Sequence, residues 1–272
     1  MSYSIFNKTM VDMSYKMIEQ LADKNAPVLL PISVVEEHGP HLCTGVDIYL
    51  TQSVCNKICD QLQKNNIDAL IAPPFYWGIN SITNGFIGSF QISPQTTKQL
   101  LYEIIKNFEN WGFTTIFLLS FHGDYQHMRT IAEVTQDINS QLRIKTYYVA
   151  AKNLFTQLGF NKRPSCFLPV NLASNQLSIE ADHFDFHAGA DETSWMLLEY
   201  PDLVDINIAK TLPSTKANFA DIKKWLLGGE AAKEITPNGY LGNPANINVD
   251  AIKSIEKQIV YAYTNCIKNM LN

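Results

Sequence analysis

Apolar residues along the chain follow two rhythms. Dense apolar runs at residues 26–33 (APVLLPIS), 68–77 (DALIAPPFYW), 114–121 (TTIFLLSF) and 143–151 (RIKTYYVAA) read as strands. They lack strict alternation, as strands covered on both faces do. Between them, apolar residues recur at helical spacing. Residues 47–65 place Val54, Ile58 and Leu62 on one helix face. Residues 93–112 open with Ser93 as N-cap and Pro94 at the first helical position, and stop at Gly112. Residues 124–142, 191–200 and 250–270 read as further helices. Strands alternating with helices predict an α/β fold with a central, mostly parallel sheet flanked by helices. The length, 272 residues, suits one large domain over 1–272, and no linker, repeat or low-complexity tract interrupts it. The proline- and asparagine-rich stretch 152–177 is either an excursion over a site or an ordinary irregular connection.

In such sheets, ligands collect at the carboxyl ends of the strands. There, straight after the first apolar run, residues 34–49 read VVEEHGPHLCTGVDIY. Gly39 and Pro40 account for a turn, but not for Glu36, Glu37, His38, His41 and Asp47 around it. Of the chain's six histidines, every one falls in one of three short stretches, EEHGPH, HGDYQH and HFDFHAGADET, each with carboxylates beside it. Neutral imidazole and carboxylate oxygen are the donors that Zn, Mn and Fe accept, and a carboxylate can bridge two such ions.

Glu36 and His38, two apart, point the same way in an extended segment. Asp47 is either a ligand or a helix N-cap. His122 follows the third strand and is a ligand candidate. Asp124 is either a ligand or the N-cap of the next helix, and His127, one turn further, is a surface or supporting residue. In the third stretch the chemical residues are Asp185, His187 and Glu192. Glu192 sits in a first helical turn, where the dipole favours an acid in any case. The small residues of AGA after His187 would let a substrate come close.

Composition narrows the setting. Net charge is −5, and no block of Lys and Arg stands out, which argues against a nucleic-acid partner. The first residues lack a secretory h-region, and no apolar run approaches the ~18 residues needed to span a bilayer. The five cysteines are scattered and odd in number, which fits a reduced, cytoplasmic compartment.

Taken together, PISVVEEHGPHLCTGVD, FHGDYQH and HAGADETS resemble, in order, the motifs of the creatininase (creatinine amidohydrolase) family, and YWGIN with FIGSF resembles its glycine-rich stretch near the substrate. The resemblance runs from about residue 26 to 200. It implies a three-layer α/β sandwich, often a hexamer, with two divalent metal ions per chain (Zn, Mn or Fe). It also implies hydrolysis of non-peptide C–N bonds in small amides. Matched residue by residue, Glu36, Asp47 and His122 would hold one ion and His38 and Asp47 the other, with Asp124 at a further ligand position. His187 would be the acid/base, and Glu192 and Asp124 complete the catalytic candidates. The chain departs from the pattern at Cys43, where proline is usual, at SFHGD in the second motif, and at Asn84. It also has no tryptophan in residues 123–186, where creatininase itself has pocket tryptophans. Creatinine is therefore expected to be a poor substrate, with Phe155, Phe160, Phe167 and Phe184 as substitute walls. A formamide hydrolase or small-peptide hydrolase in a cofactor pathway, and a scaffold without turnover, are the alternatives.

Overall fold

The computed structural model describes residues 3–160, 163–172 and 184–271. His183 lies outside the described residues. Strands β1 (Val28–Pro31), β2 (Leu70–Ile71), β3 (Thr115–Leu119), β4 (Lys145–Ala151) and β5 (Phe167–Val170) form a sheet in the order β2-β1-β3-β4-β5. Every neighbouring pair is parallel. The helices are α1 (Tyr15–Asp23), α2 (Val46–Lys64), α3 (Pro94–Asn110), α4 (Tyr125–Gln141), α5 (Lys152–Gln157), α6 (Ala190–Glu199), α7 (Ile206–Ala209), α8 (Phe219–Trp225), α9 (Gly229–Ile235) and α10 (Val249–Leu271).

Successive residues of each strand feed opposite faces, as the pleat requires. Val28 and Leu30, Ile116 and Leu118, and Tyr148 and Ala150 pack into one core with Leu101 and Ile105 of α3 and Ile131 and Ile138 of α4. Leu29, Phe117, Leu119 and Val149 pack into a second core with Val54, Ile58 and Leu62 of α2 and Ile259 and Tyr263 of α10. This is the three-layer sandwich with a parallel sheet.

The second apolar run shrinks to two strand residues. Pro73 and Pro74 end the ladder because proline donates no N–H. Beyond them Phe75 rejoins the chain after β1, its N–H donating to the Pro31 carbonyl at 2.9 Å. The stretch 152–177 holds α5 and the edge strand β5. Proline in FLPV is tolerated there because an edge strand pairs on one side only. All five cysteines are free thiols. Among the described residues no helix is long and apolar enough to cross a membrane.

Candidate metal centre

β1 and β3 are neighbours, so the segments that follow them emerge side by side at the carboxyl end of the sheet. After β1, Ser33 Oγ donates to the Asp47 carbonyl at 2.8 Å, which ties the start of α2 to the strand end. The Glu36 N–H donates to the Thr44 carbonyl at 3.0 Å and closes the intervening turn. Asp47 is the second residue of α2; Gly45 is the N-cap and makes no side-chain cap bond. The third stretch arrives through α6. His187 pairs with Leu241, whose N–H donates to the His187 carbonyl at 2.7 Å.

These segments converge on one carboxylate oxygen. Asp47 Oδ2 stands 3.5 Å from His122 Nδ1 and 3.6 Å from His38 Nε2. Glu36 Oε2 stands 3.2 Å from His122 Nδ1, and Glu192 Oε2 stands 3.7 Å from His38 Nε2. Glu36, His38, Asp47 and His122 are all buried. His38 Nε2 and Asp47 Oδ2 are buried without a hydrogen-bond partner. Orphaned buried polar atoms are costly and uncommon. Two donors each about 2.1 Å from a tetrahedral ion stand about 3.4 Å apart, close to the separations seen here. The donor set therefore fits divalent cations in three overlapping groups, Glu36–Asp47–His122, His38–Asp47–Glu192 and Glu36–His38–His187, of which the first two share Asp47.

The imidazoles are turned to suit. His122 Nε2 lies 3.1 Å from the Ile79 carbonyl, and His38 Nδ1 lies 3.0 Å from the Glu36 carbonyl. Each of these nitrogens can donate to its carbonyl, which turns the other nitrogen inward, the usual arrangement behind a metal ligand. Thr83, a residue passed over in the sequence, donates from Oγ1 to Glu36 Oε1 at 2.5 Å.

The electrostatics call for positive charge at this point. Burial disfavours charge on Glu36, yet His122, His187 and His38 hold its carboxyl well below the usual range. Burial likewise disfavours a charged His122, but Glu36 and Asp47 outweigh it and raise its pKa well above the ordinary value. His187 is pushed up to about 10: burial opposes the charge, while Glu36, the bond to Glu37 and Glu192 favour it. Burial raises Glu192, and Asp47 adds to that against the pull of His38 and His187.

His187 is steadied by Glu37. Its Nε2 lies 2.8 Å from the Glu37 carbonyl oxygen and 3.3 Å from Glu37 Oε1. Its ring is 4.4 Å from that of His38.

Three of the sequence candidates stand outside the donor groups. Asp124 spends both carboxylate oxygens on hydrogen bonds: Oδ1 accepts from the His127 N–H at 2.9 Å, and Oδ2 from the Ser81 N–H at 2.7 Å and hydroxyl at 2.5 Å. It is the N-cap of α4 and stands outside all three donor groups. Of the two alternatives for His127, the structure takes the supporting one: it is fully buried against His122. Asp185 accepts from the N–H groups of Ala190 (2.7 Å) and Asn243 (3.2 Å), and so staples the start of α6. A Cβ at Gly189 would collide with that carboxylate, so the glycine of AGA serves packing.

The donor groups floor a cavity of about 240 Å³, roofed by Ile82, Phe186, Ile222, Trp225 and Leu226. Trp225 of α8, whose ring is 6.2 Å from that of His187, is an aromatic wall that lies outside residues 123–186. Phe155, Phe160 and Phe167 instead pack on one another or on Tyr148 in the core. Trp77 lines a separate groove with Trp111.

A family model described as "Creatininase: Creatinine amidohydrolase" matches residues 11–267. Creatinine amidohydrolase of Pseudomonas putida is 26% identical over 213 residues, covering 76% of this chain and 76% of its own. Mycofactocin precursor peptide peptidase of Mycolicibacterium smegmatis is 22% identical over 242 residues, covering 89% of this chain and 84% of its own. A solved structure of creatininase aligns with a TM-score of 0.70 at 19% identity over 97% of both chains.

Proposed function

The chain belongs to the creatininase family of metal-dependent hydrolases, and on that premise we propose that it is a two-metal hydrolase of a small amide or cyclic amide. The observation that carries the reading is Asp47 Oδ2, buried, unpartnered and common to two of the three donor groups. Glu36, Asp47 and His122 would hold one ion, and His38, Asp47 and Glu192 the other. Glu192 thus takes the ligand place that the resemblance gave to Asp124. Nitrogen and oxygen donors suit Zn, Mn or Fe. When bound, such a pair supplies an acidified water and a polarised carbonyl.

The chain's own residues supply the rest. His187 keeps Nε2 on Glu37, so Nδ1 is the atom left to carry a proton to the departing nitrogen. Thr83 fixes the Glu36 carboxylate. Trp225 and Ile222 cover the floor of the cavity and limit water. A peptide bond is the second reading, favoured by the extent of the match to the mycofactocin precursor peptide peptidase. We also read the protein as a cytoplasmic, single-domain homo-oligomer.

Elemental analysis of metal-reconstituted protein, with turnover measured on cyclic amides, acyclic amides and short peptides, tests this. Two ions per chain and turnover of non-peptide amides are expected. One ion or none would overturn the dinuclear reading, and turnover of peptides alone would favour the second.

A further inference from the structure

The roof of the cavity continues outward as an aromatic shelf. Phe186 lines the cavity and is also 56% exposed, and so is Leu226, at 56%. Phe186 stacks on Phe184 with ring centroids 5.5 Å apart at 13°. Phe184 in turn meets the edge of Phe219, 4.9 Å away at 71°. Phe219, at the first position of α8, is 74% exposed.

Large side chains held in water in this way are unfavourable, and contiguous exposed apolar patches mark binding sites. Asn218 and Asp221 form a capping box that fixes α8, so the shelf is held by local structure. Among the described residues that line the cavity, none is Lys or Arg.

We propose that this shelf is a second substrate subsite, which receives an uncharged aromatic or branched apolar tail attached to the scissile amide. The inference rests on the two-metal reading and names its substrate class. The continuity carries it: one path of rings runs from the cavity that holds the reacting groups to Phe219. A flat tail laid along that path covers apolar surface on both partners, and ring stacking adds to the burial. A compact heterocycle would fill the cavity and leave the shelf bare.

Hydroxamates test this without a known substrate, because the hydroxamate group anchors on divalent metal and the tail alone varies. Calorimetric titration of the zinc-loaded protein would compare acetohydroxamic acid with 3-phenylpropionohydroxamic acid. About tenfold tighter binding of the phenyl compound is expected, falling towards parity in Phe219→Ser and in Leu226→Ser. Failure of acetohydroxamic acid to bind would sink the two-metal reading itself. Equal affinity of the two compounds for wild type would sink the shelf alone. So would a Phe219→Ser protein that dissociates from an assembly in sedimentation velocity yet keeps the tail preference, since the rings would then belong to an interface between copies.

Discussion

Asp47 and Asp124 occupy matching places. Each follows a central parallel strand, each opens the next helix, and each is buried. Read locally, each is a helix cap or a ligand. The structure separates them by what their oxygens touch. Asp124 accepts three hydrogen bonds from backbone and hydroxyl donors, and nothing in its surroundings asks for a cation. Asp47 lies one residue inside its helix, behind a glycine cap, with Oδ2 facing imidazole nitrogens from two directions. A carboxylate satisfied by N–H donors is structural, whereas one left facing other donor atoms is a place for a metal.

The comparison breaks most sharply at Asp47. Asp47→Asn removes the charge common to both proposed ion sites, and the protein should lose ions from both and all measurable turnover. Elemental analysis beside activity reads this; a variant that keeps two ions per chain would place the bridge elsewhere.

Next in size is His187→Gln, which should slow turnover by ~10²–10⁴-fold while leaving metal content intact. Loss of metal in step with activity would make His187 a ligand.

Asp124→Ala should do the reverse of Asp47→Asn. Urea denaturation should show a loss of about 1–2 kcal/mol for the missing cap, with Asp124→Asn nearer wild type and two ions retained in both. Metal loss in Asp124→Asn would return Asp124 to the ligand set.

The smallest effect concerns acid stability. His41 Nε2 lies 2.8 Å from Thr193 Oγ1, while its Nδ1 is buried without a partner. Burial, with the charges of His38 and His187, pushes its pKa down to about 4. Between pH 6.5 and 4 the unfolded chain then binds the proton and the folded one does not, so His41 costs stability as pH falls through that window. In metal-free protein, His41→Gln should flatten the loss between pH 7 and 5.5 by about 1 kcal/mol. Identical slopes for the two proteins would show that His41 takes its proton in the folded state.

Much of this was legible in the chain. The runs that became β1, β3 and β4, the cap at Ser93 with Pro94 behind it, and the gathering of histidines and acids at strand ends all follow from local pattern. β2 was over-extended because an apolar run does not show where a proline stops a ladder. β5 was missed because an edge strand has little pattern of its own. Trp225 could not be tied to the site, since α8 lies far along the chain from every motif and only folding brings it over His187.

The sequence by itself determined the donor inventory and its address: which side chains can ligate, and that they sit past the ends of parallel strands. It did so because strand, helix and turn preferences are local and the pleat fixes which way neighbours point. Only the tertiary structure decided which acids face other donor atoms and which are caps. Glu192 joins His38 across a separation of 154 positions in the chain, whereas Asp124 turns to Ser81 and the start of its own helix. Whether a carboxylate oxygen is satisfied depends on the atoms folding sets within about 3 Å of it, and those come from distant parts of the chain.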